Sequence, residues 1–263
     1  MPSSFFVWVG FLAKQYGGLF LRGTVNTLLI AVTGTILGFL IGLLVAIART
    51  IQLGPKAPAW KRVPLKILHG ILGIYIEVFR GTPMIVQAMV IYYGALQYLG
   101  LDMPRLVAAI FIVSINTGAY MAEIIRGGII SIDKGQTEAA HSIGLTHWQT
   151  MVSVVLPQAI RNIMPSIGNE FVVNIKDSSV LNVISVTELF FQAKSATGAY
   201  FRYFETYFII ALIYLTLTFS ITRILRLIEK KMDGPENYVI HGSQSDSHAA
   251  IAVHEEGKNG TCD

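Results

Sequence analysis

The sequence predicts an all-α membrane protein with about five transmembrane helices, its N-terminus outside and its C-terminus in the cytoplasm. Three observations carry this expectation. Of 263 residues, 53% are hydrophobic and only 14% charged, and the mean hydropathy is positive, a balance that soluble domains seldom tolerate. Several apolar runs approach or exceed the roughly 18 to 20 residues that cross about 30 Å of hydrocarbon as a helix, which satisfies every backbone polar group internally. The loop after the first such run carries Arg49, Lys56, Lys61, Arg62 and Lys66 with no acidic residue, which places it on the cytoplasmic side by the positive-inside rule.

The elements follow in order. Residues 1–22 begin "MPSSFFVWVGFLAKQYGGLF", with no basic stretch before the apolar residues and no small-residue cleavage site, so a removed signal peptide is not expected. Phe5, Phe6, Trp8, Phe11, Leu12 and Tyr16 suggest an aromatic-rich helix at the membrane surface. Residues 23–232 read as one transmembrane domain. Its first span, Thr24 to Ala48, is uncharged, and Gly34, Gly38 and Gly42 recur at the four-residue spacing that lets helices approach closely in lipid. From Leu65 to Leu99 the chain is apolar but broken by "FRGTP". Leu65 to Phe79 is expected to lie along the inner face, with Thr82 as N-cap and Pro83 as first-turn proline of a second span, Met84 to Leu99. The competing reading makes both pieces spans.

A short external turn with Asp102, Pro104 and Arg105 leads to span three, about Leu106 to Ile125. Span four, about Ala159 to Ile175, is the most polar; "KDSSVLNVISVTELFFQAKSATGAYFRYFE" then forms short helices and turns outside. Span five, Thr206 to Leu225, ends in Arg226, Lys230 and Lys231, a cytoplasmic signature. Residues 233–263 turn polar and read as a disordered tail in which His241, His248 and His254 are too loosely spaced for a metal site. The single cysteine, Cys262, excludes a disulfide framework within one chain. The net charge of +4 is spread over loops, which gives no nucleic-acid partner a patch to bind.

Between spans three and four stands a polar island, "GQTEAAHSIGLTHWQTMVSVVLPQAIRN", from Gly135 to Asn162. Gly135 precedes a short helix over Gln136 to Ile143, Gly144 breaks it, and Thr146 caps a second helix from His147 to Val155, before Pro157. Two short helices with a glycine joint make a cytoplasmic hook. Ala139 and Ala140 leave a flat surface for another protein, and Glu138 offers a carboxylate near a helix start, where negative charge is stabilised.

The spacing of Glu138, Ala139, Ala140, Gly144, Leu156 and Pro157 resembles the EAA loop of the permease subunits of bacterial ABC importers, with Val154 where that pattern usually has isoleucine. "EVFRGTP" (Glu77 to Pro83), "NTGAYMAEIIRGGI" (Asn116 to Ile129), "KDSSV" (Lys176 to Val180) and "FRYFE" (Phe201 to Glu205) resemble the polar amino-acid branch of that family. Together these stretches extend over nearly everything from Gly23 to Lys231. The resemblance implies a type I ABC importer permease of the bacterial cytoplasmic membrane. Its hook would seat in a separate ATP-hydrolysing subunit that carries ATP and Mg2+, a solute-binding protein would feed it from outside, and a second permease subunit would complete the pathway.

Candidate pathway residues follow from helical spacing. Asn116, Tyr120 and Glu123 share one face of span three, and Ser166, Glu170 and Asn174, extended by Asp177, share one face of span four. A charge at bilayer depth costs about 2.5 to 3.5 kcal/mol, so such residues face a bundle interior or a watery cavity. A zwitterionic amino acid needs amide and hydroxyl partners for its carboxylate and carboxylates for its ammonium, and both kinds are present. Bonding between helices is the alternative role; Glu123 with Arg126, and Arg202 with Glu205, are spaced to pair locally.

No G-x-x-x-x-G-K-[ST] phosphate loop occurs, so this chain is not expected to hydrolyse ATP or to bind a cofactor. A membrane-embedded enzyme would want clustered His, Asp or Glu at metal spacing, and His69, His141 and His147 are scattered. An ATP-independent channel or secondary transporter would leave the hook without a role.

Overall fold

The computed structural model describes residues 4–51 and 58–232, and all secondary structure among them is helical. The expected tail and Lys56 lie outside the described residues. The first helix, α1, runs unbroken from Phe5 to Thr50. The boundary expected near residue 22 is therefore absent. No proline or capping group interrupts this stretch, and glycine alone does not end a helix whose backbone has no better partners. The expected surface residues divide: Phe6 and Phe11 are exposed, Phe5 and Tyr16 half-buried, and Trp8 and Leu12 buried. Trp8, Leu12 and Phe20 are buried against Leu189, Ala193 and Ile210, with Trp8 meeting Tyr200 at 5.8 Å between ring centroids.

α1 pairs most closely with α4, Arg105–Ile130. Gly34 faces Val113, Gly38 faces Thr117 and Gly42 faces Met121, so residue numbers rise together and the two helices run parallel. A Cβ added at Gly38 would sit 2.7 Å from Thr117 Cβ, and one at Gly42 would sit 2.8 Å from the Ala122 backbone nitrogen. The glycine stripe is thus a contact surface, as its spacing predicts.

Because α1 and α4 run parallel, the chain between them must return across the bundle. It does so through α2, Ala59–Gly81, and α3, Met84–Leu99, which are bent by 115° at their break. α2 starts six residues before the expected Leu65 and packs on the spans: His69 Nε2 lies 3.0 Å from the Ala48 carbonyl oxygen, and the Tyr75 hydroxyl donates to the Ile115 carbonyl at 2.6 Å. Thr82 does not cap α3. Its hydroxyl donates back to the Val78 carbonyl at 2.7 Å, and Pro83 holds the N-cap position. The carbonyls left over at the break are taken up by Gln87, whose side-chain amide donates to Phe79 O and Thr82 O at 2.9 Å each. A broken helix at bilayer depth requires such replacement donors.

Past α4 come the short helices α5, Lys134–Ser142, and α6, His147–Thr150, then a π-turn, Met151–Val155, and α7, Leu156–Asp177. α7 runs antiparallel to α4: Gly128 meets Ala159 and Ile163, while Thr117 meets Asn174. A 3-10 turn, Ser178–Ile184, and α8, Leu189–Tyr200, lead to α9, Tyr203–Met232. α9 begins beside the start of α1, with Phe5 against Phe204 and Phe208, and Val9 and Ala13 lie along Ile209 to Leu217. Glu188, fully buried, caps α8 by accepting from the Phe190 and Phe191 amides at 2.7 Å and from the Tyr214 hydroxyl at 3.2 Å.

Among the described residues, α1, α4 and α9 are each long and apolar enough to cross a membrane, and α2 with α3 make a fourth candidate. α7, the expected fourth span, has 22 residues, or about 33 Å of helix, but its polar residues keep it below that apolarity. Length and apolarity alone thus pick out three helices, or four spans with the bent pair, among the described residues.

Candidate functional site

The hook is built from capping chemistry. α5 starts at Lys134, two residues before the expected Gln136, because Asp133 is its N-cap and accepts from the Gly135 amide at 2.6 Å. Its other end closes on Gly144 at φ +86°, a left-handed conformation that favours glycine. There the Leu145 amide donates to the Ala140 carbonyl at 3.1 Å and the Gly144 amide to the His141 carbonyl at 3.0 Å, the paired bonds of a Schellman end. Thr146 then opens α6 with a complete capping box to Gln149.

No gap separates the expected second hook helix from span four. α6, the π-turn and α7 form one continuous rod from His147 to Asp177. Pro157 has no amide to give Ser153 and its ring crowds that carbonyl. The widened turn just before it, where the Leu156 amide reaches back to Met151 O, accommodates the proline without breaking the rod.

Of the expected coupling residues, Glu138, Ala139, Gly144 and Pro157 are exposed, Leu156 is half-buried, and Ala140 is 4% exposed beneath the hook. Sequence reasoning missed the apolar part of this surface, Ile143 and Trp148, 79% and 69% exposed. Two large apolar residues flanking a glycine joint in a polar island were the available signal.

The polar residues of the spans separate into three groups. Asn116 donates to Gln87 Oε1 at 2.9 Å and so joins α4 to the α2–α3 break. Beside it the Arg80 guanidinium lies over the Tyr120 ring, 5.6 Å from its centroid. Glu170, half-buried on α7, feels the charges of both Arg80 and Asp177, and Ser166 is exposed one turn earlier. Glu123 sits apart, in an ion pair with Arg126 at 2.8 Å, as its spacing allows, and with Arg49 at 2.6 Å, which spacing did not reveal. Arg202 and Glu205 likewise pair, at 3.4 Å.

Asn174 differs from the other two residues of the expected stripe on α7 in being buried. It is 3% exposed, donates to Thr35 Oγ1 at 2.9 Å and accepts from Thr117 Oγ1 at 3.1 Å. Its amide ties α1, α4 and α7 together. Helical spacing correctly puts Ser166, Glu170 and Asn174 on one side, but the eight residues between first and last turn that face by roughly 80°. Among the described residues no group of three His, Cys, Asp or Glu side chains is placed to hold a metal ion.

Residues 38–234 match the family described as binding-protein-dependent transport system inner membrane component. The glutamine transport system permease protein GlnP of Escherichia coli (strain K12) is 38% identical over 215 residues, covering 81% of this chain and 93% of that one. The arginine transport system permease protein ArtQ of Bacillus subtilis (strain 168) is 36% identical over 212 residues, covering 81% and 91%. Among solved structures, an amino acid ABC transporter crystallised with histidines aligns with a TM-score of 0.76 at 38% identity, covering 88% of this chain and all of that one. With the hook, the paired glycine helices and the broken span in place, this chain belongs to the family of inner-membrane components of binding-protein-dependent transport systems.

Proposed function

We propose that the chain is the permease subunit of an ATP-driven importer for a polar amino acid, working by alternating access. A separate ATPase docks on the hook and a solute-binding protein delivers cargo from the other side. A second permease subunit, either a copy of this chain or a relative, completes the pathway. The supporting observation is the hook itself: a carboxylate, a flat alanine and two exposed apolar side chains, locked by capping bonds onto a rod that continues as α7. A displacement at Trp148, which stands on this rod, meets no gap before reaching the bundle, where Asn174 hands it to α1 and α4.

Five crossings fit the helix directions: α1 inward, the bent α2–α3 unit outward, α4 inward, α7 outward and α9 inward. The basic residues Arg49, Arg62 and Lys66, together with Arg226, Lys230 and Lys231, all fall at the hook end, which makes that end cytoplasmic. The cargo's ammonium and carboxylate find partners in the polar seam of Arg80, Tyr120 and Glu170. The rival, a passive channel, gives the hook no task. Uptake into proteoliposomes holding the complex is expected to require ATP and the ATPase subunit. Equal uptake without either supports the channel instead.

Two substitutions divide the seam from the tie. Glu170→Gln is expected to raise the KM for uptake about tenfold, the size of a lost charged hydrogen bond. Asn174→Ala should leave KM unaltered while lowering stability by about 1 kcal/mol, the usual scale of polar contacts between spans. Thermal unfolding in detergent checks the second effect, and a raised KM for Asn174→Ala would return that residue to the pathway.

A further inference from the structure

Arg80 stands at the very end of α2, one residue before Gly81 closes that helix and three before Pro83. In an unbroken helix the Phe79 carbonyl would accept from the amide of residue 83, but residue 83 is proline and has no N–H. The side chain of Gln87, 6% exposed, supplies the missing donor. Its Nε2 donates to Phe79 O, Thr82 O and Thr82 Oγ1, each at 2.9 Å. One buried amide therefore holds the backbone on both sides of the Arg80–Gly81 pair.

Gln87 is itself oriented from α4. Its Oε1 accepts from Asn116 Nδ2 at 2.9 Å, and the same Nδ2 lies 3.4 Å from Phe79 O. One helical turn beyond Asn116 on α4 comes Tyr120, whose ring carries the Arg80 guanidinium at 5.6 Å. α4 thus grips the end of α2 at two points, the backbone through Asn116 and Gln87 and the guanidinium through Tyr120. Among the described residues no carboxylate forms a direct ion pair with Arg80, although Glu170 is close enough for their charges to act on each other. With no such pair to tether its head, the guanidinium depends on where its backbone is held.

We infer that Gln87 is the positioning residue for Arg80 in the cargo seam. Both hydrogens of its amide and its oxygen are engaged within the protein, so Gln87 acts on cargo through Arg80 and not by contact. The inference rests on the proposed role of Arg80, Tyr120 and Glu170 as the cargo's partners.

A double-mutant cycle tests it in proteoliposomes holding the complex, with radiolabelled glutamine, arginine and histidine as probes. Gln87→Met keeps the length of the side chain and removes its donors. It is expected to raise KM about fivefold, the scale of one net hydrogen bond, while the maximal rate stays within about twofold. In an Arg80→Gln background the same substitution should add nothing, because the group it positions is gone. Gln87→Asn, one methylene short of its acceptors, should fall between, and it carries the same cycle if Gln87→Met does not yield folded protein. The bend itself is read by electron paramagnetic resonance distances between spin labels at Ile74→Cys and Val90→Cys, both exposed, in a Cys262→Ser background. Gln87→Met should broaden or shift that distribution. An unaltered distribution, or KM effects of Gln87→Met and Arg80→Gln that multiply independently, would overturn the inference. The distance readout needs neither ATP nor cargo, so its failure is separable from failure of the transport reading, which would show as a KM indifferent to Arg80→Gln.

Discussion

Gly144→Pro is expected to abolish ATP-driven uptake while leaving the chain inserted in the membrane. Residue 144 sits at φ +86°, and proline fixes φ near −65°, so the joint between α5 and α6 cannot close in its present form. The substitution also removes the amide that donates to His141 O. Strain and the lost bond together are about 3 kcal/mol or more, enough to redirect a short exposed hook. The spans share none of this cost, because Gly144 is exposed and a side chain there meets open space. Gly144→Ala isolates the conformational part, about 1 to 2 kcal/mol for an L-residue in this region, and should retain intermediate uptake. Uptake and ATP hydrolysis measured on the same proteoliposomes check both variants; wild-type uptake in Gly144→Pro would show that the hook geometry is dispensable.

Gly42→Leu should act in the opposite place, on assembly of the bundle. Its Cβ would lie 2.8 Å from the Ala122 nitrogen and 2.9 Å from the Met121 carbonyl carbon. Both are backbone atoms that no rotamer change can move. α1 and α4 would have to separate along a parallel contact that also carries Gly34 and Gly38, and the larger part of the leucine would then open voids on either side. Overpacking of this kind costs about 1 to 3 kcal/mol where the neighbours are side chains, and more where they are backbone. The expected result is loss of the folded protein from detergent extracts by fluorescence-detected size-exclusion chromatography. Gly70→Leu, where an added Cβ meets nothing within 4 Å, should behave as wild type.

The hook was the most legible part of the chain because its limits are written in local chemistry. Gly144, the Thr146–Gln149 pair and Pro157 act within a turn of themselves. Even there the spacing does not single out Asp133 as a cap, and Pro157 suggests two helices where one rod runs from His147 to Asp177, because proline usually ends a helix and the π-turn that absorbs it has no sequence signal. The glycine stripe announced a close helix contact, but nothing in its spacing named α4 as the partner. Arg49 and Glu123 stand 74 residues apart, a separation across which periodicity carries no information. Asn174 shows the same limit from the other side: spacing reports which residues share a face, and only packing reports what that face touches. The aromatic opening of α1 looked interfacial by composition, yet its tryptophan is buried by α8 and held beneath Arg202, whose guanidinium lies 4.6 Å from the ring centroid.

The central claim is that the hook stands on the cytoplasmic face and carries the force of a soluble ATPase into α7. Glu138→Cys in a Cys262→Ser background supplies one exposed thiol at the tip of that hook. A membrane-impermeant maleimide should leave sealed right-side-out vesicles unlabelled, label inverted vesicles fully, and lose that labelling when the ATPase subunit is bound. Labelling from the outside of sealed right-side-out vesicles would contradict the account.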